Sequence, residues 1–534
     1  MVAAGGSAGM GDWSGLDLAV VLGYLLLVVA VGLWVGRGER TAEDYFLAGR
    51  SLPWYLIGLS FYASNMSGAS FVGLIGASYA EGLVVFNYEW TAAVALIALA
   101  VFMLPVFLRS RIATLPEYLE RRFDRRSRLA YSLFTLATLL FIDMAGAVYA
   151  GGLVIATLFP ALDLWLASAL LALLAGLYTL VGGLRSVVVT DAMQAVLIVV
   201  GAAAILLVGL REAGGWDAVL AGLAADKTSL LRAADDAFLP WPGLFGVLLL
   251  GFYYWTMNQY FVQRALAART LDDARKGALF GGLLKLPNLF LMVMPGMVAL
   301  ALYPGLENPD AAFPTLAFEL LPVGLRGLVL TALIAAIMSS LDSAINAAAS
   351  LVTLDLVRSL RPRASGETLL WIGRLCSGLL IAIAALYAPL ILRFGSLFAY
   401  FQSTLAYLVP PVVAVYLAGL LLPKLPAAAG FPALAGGILS GVLLFLAAEL
   451  GGLWSAAGLE APHFTLVALL LFLWTGLLLA IGRLVAGPAP TPALTSLRRS
   501  DLTLGSGRGP WYRDYRWQAA GLAAATLLFV AGAW

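Results

Sequence analysis

Residues 332–356 read A-L-I-A-A-I-M-S-S-L-D-S-A-I-N-A-A-A-S-L-V-T-L-D-L, an apolar run long enough to cross a bilayer as one helix. Its middle carries a cluster of oxygen-bearing side chains, Ser339, Ser340, Asp342 and Ser343. Polar side chains are costly at bilayer depth, and oxygen atoms are the ligands that hard cations prefer. The segment therefore predicts a membrane helix that carries a cation site.

The composition of the whole chain also indicates a membrane protein. Of its 534 residues, 62% are hydrophobic and 12% are charged, and the mean hydropathy is +0.94. Such a chain has too little polar surface to cover a water-soluble globule. A single cysteine, Cys376, and a single histidine, His463, cannot supply a disulfide framework or the several ligands of zinc and haem sites. The first Lys or Arg is Arg37, so we expect no cleavable signal peptide.

Apolar stretches of roughly 20 residues, the length that spans a bilayer core, give about fourteen predicted transmembrane helices. They lie near 15–36, 53–80, 82–108, 128–157, 162–184, 187–211, 238–263, 276–304, 323–359, 366–390, 394–421, 427–450, 463–486 and 516–534. Alternating sides along the chain puts most of the 32 Lys and Arg residues in cytoplasmic loops. The pattern predicts a multi-pass protein of the cell membrane, the inner membrane in a bacterium, with both termini extracytoplasmic.

Two of the predicted spans contain residues that favour a break in the helix. Residues 60–70 read S-F-Y-A-S-N-M-S-G-A-S, and freed backbone carbonyls at bilayer depth are tolerated where they face an ion, a solute or water. The alternative is that these small residues permit tight helix packing. The span 394–421 contains Gln402, Ser403 and Thr404 and then Pro410 and Pro411, which predicts a second discontinuity.

Helix counting predicts an internal repeat. Five spans in 53–211 are followed by five in 238–421, and an odd-numbered unit returns to the membrane in the opposite orientation. We therefore predict two inverted repeats, preceded by an extra helix and loop in 1–52 and followed by extra helices in 422–534. No convincing similarity between the residues of the two halves accompanies this count.

Several strings carry a resemblance to a known family. They read D-Y-F-L-A-G-R-S at 44–51, A-S-N-M-S at 63–67, T-L-P-E-Y at 114–118, G-G-L-R-S-V-V-V-T-D-A-M-Q at 182–194 and Y-Y-W-T-M-N-Q-Y-F-V-Q-R at 253–264, together with the serine-rich helix. Over roughly residues 15–425 the chain resembles the sodium/solute symporter family, in particular its sodium/glucose cotransporter branch. The resemblance implies an all-α integral membrane protein with the LeuT-type fold of inverted five-helix repeats, and Na+ as the coupling ion.

The resemblance also implies a sodium site between the broken second span and the serine-rich helix. Its ligands would be the carbonyl oxygens of Ala63, Met66 and Ala336 and the hydroxyl groups of Ser339 and Ser340. The alternative for a Ser-Ser pair in a membrane helix is hydrogen bonding to the preceding helical turn.

A second ion is a further possibility that the resemblance raises. Its candidate ligands are Asp191, Asp342 and Ser343. Asp342 stands where two-sodium members of the family have a serine, so it would bind a second ion more tightly or take a proton instead. The alternative for Asp191 is a salt bridge with Arg185 at the cytoplasmic edge of the membrane.

A solute site beside the break follows from the same resemblance. Its candidate residues are Ser70, Glu89, Ala92, Gly251, Tyr254, Trp255, Lys285, Gln402 and Leu405, and Leu74, Tyr88 and Phe401 match an apolar outer gate. Glu89 and Lys285 are the residue types that hold sugar hydroxyls in the family, although without the resemblance they would read as a buried ion pair. At Ser70, Ala92, Gly251 and Leu405 the chain departs from the longer polar side chains of the sugar-binding members.

We therefore expect a sodium-coupled secondary active symporter that imports a small polar solute, a sugar or polyol, by alternating access. One alternative is a sodium- or proton-coupled carrier of a monocarboxylate, an amino acid or another nitrogenous solute, anchored by Lys285 or Asp143. An alternative of another class is a membrane sensor that binds the solute without transporting it. We expect that the protein is not an enzyme, because no nucleophile-base pair, phosphate loop or metal cluster is visible in the sequence. We also expect no nucleic-acid partner.

Overall fold

The computed structural model describes residues 14–37, 41–158, 162–394, 397–450, 452, 454, 458, 460–487, 495–504 and 510–533. Helices connected by turns and loops make up this part of the chain. The β contact found there is an isolated bridge between Leu52 and Ala268. The all-α prediction is confirmed for the described residues.

The first half of the chain forms ten α-helices, several of them joined by short π-helical turns such as Ala69–Leu74 and Leu139–Met144. They are α1 Gly15–Val35, α2 Ala42–Leu47, α3 Trp54–Asn65, α4 Ile75–Glu81, α5 Asn87–Ala98, α6 Leu104–Arg109, α7 Leu115–Arg122, α8 Arg125–Thr138, α9 Ala145–Leu158 and α10 Leu164–Glu212. The long helix α10 contains two of the predicted spans, which meet at Gly183 with φ +53° and ψ −163°. Glycine is required there because a side chain disfavours this conformation.

The second half continues with fourteen described helices. They are α11 Trp216–Ala221, α12 Leu244–Thr256, α13 Gln259–Leu266, α14 Leu271–Lys285, α15 Met294–Leu302, α16 Ala312–Thr315, α17 Leu325–Ser350, α18 Arg358–Leu360, α19 Gly366–Tyr387, α20 Leu397–Leu408, α21 Pro410–Leu421, α22 Gly430–Phe445, α23 Phe464–Ala486 and α24 Tyr515–Gly532. Polar caps begin several of them: the Thr270 hydroxyl, for example, accepts a hydrogen bond from the Asp273 amide at the start of α14.

Nine helical stretches in the described part of the chain are long and apolar enough to cross a membrane, or ten if the bent pair α20 and α21 counts as one span. This confirms a multi-pass protein, whereas about fourteen crossings stays a prediction. The difference has a physical reason, because breaks divide several predicted spans into shorter helices. Helices α12 and α13, for example, have 13 and 8 residues.

The break expected in the second span lies at Met66 and Ser67. Helix α3 ends at Asn65, and Met66 has φ −77° and ψ 86°, outside the helical region. The Ser67 amide bonds the Asn65 carbonyl and the Ser70 amide bonds the Ser67 carbonyl. In a continuous helix these amides would instead pair with the carbonyls of Ala63 and Met66. The break therefore releases both carbonyl groups from the helical ladder.

Two further discontinuities accompany it. Helices α20 and α21 meet at Val409 with a bend of 48°, as the prolines at 410 and 411 predicted. Helices α12 and α13 are separated at Met257 and Asn258, within a span that the sequence predicted to be continuous. The Asn258 side chain caps α13 by accepting a hydrogen bond from the Tyr260 amide.

The serine-rich helix α17 lies at the centre of the bundle. In its most apolar window 83% of the residues are buried, against 11% for α1. It packs against α10, α1, α3, α9 and α19. Gly201 on α10 permits close approach, because a Cβ atom there would lie 2.5 Å from the Ala332 Cβ. The cation-site residues predicted from the sequence therefore lie in the interior of the protein.

Candidate ion and solute site

The broken end of α3 and the middle of α17 meet through their polar groups. The Ser340 hydroxyl lies 3.0 Å from the Ser64 carbonyl oxygen and 3.1 Å from the Ala336 carbonyl oxygen. Ala63, Met66, Ala336 and Ser339 are all fully buried. The Ser340 hydroxyl of α17 thus contacts the last turn of α3, and it also bonds the preceding turn of its own helix, which is the alternative considered for the Ser-Ser pair. The neutral oxygens available there, released carbonyls and hydroxyls, suit a hard monovalent cation.

Asp191 is paired with Arg264 on α13. The Arg264 Nη2 atom lies 3.0 Å from Asp191 Oδ2, and the exposed fractions of the two side chains are 1% and 0%. The Ser339 hydroxyl donates to Asp191 Oδ1 at 2.5 Å, and Ser60 and Ser64 also donate to the carboxylate. The proposed salt bridge between Asp191 and Arg185 is wrong, because the Arg185 side chain is exposed at the surface.

Of the candidate ligands of a second ion, Asp191 belongs to this pair and Ser343 contacts it. Ser343 accepts a hydrogen bond from Arg264, and its hydroxyl lies 2.9 Å from that of Ser64. Asp342 is fully buried on the same helix as Ser343. The Arg264 guanidinium therefore already supplies a positive charge beside Asp191 and Ser343.

A cavity of about 120 Å³ lies next to the break. Most of the predicted solute residues line it, namely Ser70, Glu89, Gly251, Tyr254, Trp255, Lys285, Gln402 and Leu405, as do all three predicted gate residues, Leu74, Tyr88 and Phe401. Ala92 is fully buried and does not line the cavity. Sequence reasoning missed five further lining residues: Asn65, Ser67, Thr91, Val247 and Leu250.

Glu89 and Lys285 form an ion pair at the buried side of this cavity, with exposed fractions of 7% and 1%. Lys285 also donates to Asn65 Oδ1, and Asn288 Nδ2 donates to Glu89 Oε2 at 2.5 Å. The same Asn288 nitrogen lies 3.2 Å from the Met66 sulfur. Asn288, which the sequence did not single out, thus connects the ion pair to the break in α3.

Aromatic side chains form another wall of the cavity. Tyr254 and Trp255 meet edge to face with ring centroids 5.7 Å apart, and Lys285 Nζ lies 5.8 Å from the Trp255 ring. The Tyr260 hydroxyl donates to that of Tyr254 at 2.6 Å. Asp143 lies against Tyr260 and Asn258 rather than in the cavity lining. Asp143 thus contacts α13 and the residue that caps it.

Phe401, which lines the cavity, packs against α9. Its ring lies so near Gly146 that a Cβ atom on that glycine would be 2.4 Å from two ring carbons. Tyr88 packs against Phe238 of the loop before α12, with ring centroids 6.2 Å apart. The predicted gate residues therefore contact both α9 and the segment before α12.

Comparison with known proteins agrees with this arrangement. The family model described as the sodium:solute symporter family matches residues 45–440. Sodium/glucose cotransporter 4 of Danio rerio is 34% identical over 528 residues, covering 90% of this chain and 80% of the relative. Sodium/myo-inositol cotransporter 2 of Homo sapiens is 36% identical over 467 residues, covering 80% and 69%. These relatives are cotransporters, which confirms the expectation of a transporter rather than an enzyme.

Solved structures show the same fold. A Na+-coupled sialic acid symporter in its substrate-bound outward-open state superposes with a TM-score of 0.78 at 24% identity, covering 90% of this chain and all of that one. A nucleobase-cation-symport-1 family transporter in a closed conformation gives a TM-score of 0.53 at 13% identity, covering 84% and 96%. With its buried serine-rich helix, its broken α3 and the extent of these matches, the chain belongs to the sodium:solute symporter family.

Proposed function

We propose that this protein is a symporter that couples the inward movement of Na+ to the uptake of a sugar or polyol. Its family membership supports sodium as the coupling ion, and the cotransporters it is similar to are named for glucose and myo-inositol. The observation that carries the proposal is the position of Asn65 and Met66. Both belong to the break in α3, and both contact the polar groups of the solute cavity.

The sodium ion would bind between α3 and α17. Its ligands are the carbonyl oxygens of Ala63, Met66 and Ala336 and the hydroxyl groups of Ser339 and Ser340. Release of the Ala63 and Met66 carbonyls from the helical ladder supports this assignment. Ser339 and Ser340 would exchange their present acceptors, Asp191 and the Ser64 carbonyl, for contacts in which their lone pairs face the ion.

The solute would bind in the cavity beside the ion. Glu89 and Lys285 carry opposite charges, so the cavity has no net charge from this pair and favours a neutral solute. Side-chain acceptors and donors of Glu89, Asn65 and Lys285 suit the hydroxyl groups of a sugar or polyol, and Trp255 supplies a ring face. A monocarboxylate would compete with Glu89 for Lys285, which makes it the less favoured solute.

Coupling would act through the break. A sodium ion held by the Met66 carbonyl fixes the backbone whose side chains, Asn65 and Met66, contact Lys285 and Asn288. An ion that raises solute affinity requires that the solute raise sodium affinity by the same factor. Each inward-moving charge gains about 2.3 kcal/mol per 100 mV of membrane potential, which would drive accumulation of a neutral solute.

The remaining features of the architecture are part of the same proposal. Residues 53–211 and 238–421 would be the two inverted repeats, and the first helix of each is broken, at Met66 and at Met257. The distribution of basic residues among the loops supports a protein of the cell membrane whose two termini would lie outside the cytoplasm. Leu74, Tyr88 and Phe401 would form the gate that separates the solute from the outer solution.

The decisive experiment is uptake by the purified protein in proteoliposomes with an inward sodium gradient. A panel of sugars, polyols, amino acids and monocarboxylates is compared with a potassium gradient of the same size. We expect uptake of a sugar or polyol that requires sodium and increases with an inside-negative potential. Uptake of acids or amino acids instead would refute the solute class. Sodium-dependent solute binding without uptake would favour a sensor.

A further inference from the structure

A groove of about 670 Å³ lies at the exposed surface of the helical bundle, separate from the solute cavity. It runs between α14 and the last helix, α24, beside the first residue of α3, Trp54. The residues that line it are different from those of the solute cavity. The groove therefore needs its own explanation.

The body of the groove is apolar. Leu279, Phe280 and Leu283 of α14 form one wall, and Leu522 of α24 lies opposite. Gly521 widens the groove, because a Cβ atom there would meet no atom within 4 Å. Walls of this kind accept a hydrocarbon chain, which loses no hydrogen bond on leaving the bilayer for the protein surface.

One end of the groove is polar and positively charged. Lys276 and Arg513 line it, together with Tyr512 and Gln518, and no carboxylate belongs to the lining. Lys276 is paired with the exposed Asp272 on its own helix at 2.6 Å. Arg513 has no salt-bridge partner among the residues that the structure describes. The Oε1 atom of Gln518 is buried without a hydrogen-bond partner in this described part.

Exposed aromatic side chains locate this polar end at the surface of the bilayer. Trp54, Trp511, Tyr512 and Trp517 have exposed fractions of 39%, 70%, 55% and 60%. Tryptophan and tyrosine concentrate at the level of the lipid headgroups, where one part of the ring is wet and the rest apolar. The distribution of basic residues along the chain predicts that this end faces the cytoplasm.

We propose that the groove binds an anionic phospholipid of the cytoplasmic leaflet. The phosphate group lies at the end formed by Lys276 and Arg513, and one acyl chain follows the apolar wall past Gly521. Basic pockets between membrane helices at the cytoplasmic surface are suited to anionic headgroups. A zwitterionic headgroup would bring a cationic amine close to Lys276 and Arg513, where no carboxylate lines the groove to balance it, and a soluble anion would leave the apolar wall uncovered.

The experiment uses the full chain purified in a neutral detergent. Phosphatidylglycerol and phosphatidylcholine with identical acyl chains are compared by the number of lipids retained in native mass spectrometry and by the thermal stability that each confers. We expect preferential retention of phosphatidylglycerol and a stabilisation that phosphatidylcholine does not give. Equal retention of the two lipids would refute a headgroup site.

Variants separate this site from general attraction to a positive surface. Arg513→Gln should lower phosphatidylglycerol affinity by about fivefold, and Lys276→Gln by a similar factor. Arg516→Gln is the matched control, because Arg516 lies three residues along the chain, is paired with Asp514 at 2.9 Å and does not line the groove. An equal loss in the Arg516 variant would show that only surface charge is involved.

Two further measurements test whether the acyl chain contributes to binding. Gly521→Leu puts a side chain into the groove, where its Cβ atom would meet no atom within 4 Å, and should abolish the specific retention of lipid. Unchanged retention in this variant would refute the groove as the binding place. Inorganic phosphate and glycerol phosphate should give no stabilisation, and stabilisation by either to the same extent as phosphatidylglycerol would reduce the site to one for soluble anions.

Discussion

Arg264 Nη2 lies 3.0 Å from Asp191 Oδ2, and with exposed fractions of 1% and 0% the two side chains form an ion pair in the interior. The pair joins α13 to α10 and carries hydrogen bonds from Ser60, Ser64 and Ser339. Desolvation of both charges is offset only if each keeps its partners. The stability of the bundle therefore depends on the two charges being present together.

Removal of one charge of this pair should destabilise the protein strongly. We expect Arg264→Met to cost about 3–5 kcal/mol, because it leaves the Asp191 carboxylate buried without its counter-charge. The measurement is thermal unfolding of the purified variant in detergent. Arg264→Met combined with Asp191→Leu should be more stable than Arg264→Met alone.

Arg185→Gln is the control for this prediction. Arg185 lies six residues before Asp191 on the same helix and is exposed, so its loss should leave the unfolding temperature unchanged. Equal destabilisation by Arg185→Gln and Arg264→Met would mean that the loss of any positive charge near α10 has this effect, and would contradict the role of the pair.

Replacement of the two proposed sodium-binding hydroxyls should abolish sodium dependence. Hydrogen bonds or contacts to a charged group contribute about 1.5–3 kcal/mol each, so loss of either Ser339 or Ser340 should weaken sodium binding roughly 10- to 100-fold. We expect Ser339→Ala with Ser340→Ala to eliminate sodium-driven uptake at any attainable gradient. Ser350→Ala serves as the control, because its buried hydroxyl bonds the Ala347 carbonyl on the same helix. Full sodium dependence of uptake in the double variant would contradict the proposed ion site.

The ion pair in the solute cavity should be required for uptake beyond its contribution to folding. Lys285→Met leaves Glu89 buried alone and should both destabilise the protein and abolish solute uptake. Adding Glu89→Gln should recover much of the stability without restoring uptake, while stabilisation by sodium persists. The exposed Lys424 provides a control in Lys424→Met. Recovery of both stability and uptake in the double variant would identify the pair as packing alone.

Two helix discontinuities beside this site could be predicted because their signals are local, whereas the ion and solute residues were implied by the family resemblance. Small and polar residues at 60–70 predicted a break, and the released carbonyls lie at Ala63 and Met66. Adjacent prolines predicted the bend between α20 and α21. A short polar run within an apolar span is visible in the sequence itself. It is informative because the bilayer offers no hydrogen-bond partner to the backbone groups that a break releases.

Other features depended on contacts between distant residues. Arg264 is 73 residues from Asp191, and nothing local to either residue identifies the other. The sequence contained one signal for this pair, because an arginine at the end of an apolar span requires a counter-charge if it is buried. The break at Met257 was missed because it contains neither glycine nor proline, although Asn258 is a residue type that begins helices.

The outer gate should respond to a single methyl group at Gly146. A Cβ atom there would lie 2.4 Å from the Phe401 ring, so Gly146→Ala must displace the ring from its present position. We expect faster exchange of bound solute with the outer solution. The measurement is external thiol labelling of Ser70→Cys in the Cys376→Ser background, with sodium and solute present. Labelling should be faster in Gly146→Ala, whereas Gly378→Ala, where a Cβ meets nothing within 4 Å, should leave it unchanged.

A double-variant comparison identifies the Phe401 ring as the cause. Phe401→Ala removes the ring and should also speed the labelling of Cys at position 70. If Gly146→Ala acts only by moving that ring, it should add little to Phe401→Ala, since changes that act through a shared contact are not additive. Full additivity of the two substitutions would show that Gly146 affects access by another route, and unchanged labelling in Phe401→Ala would exclude Phe401 from the gate.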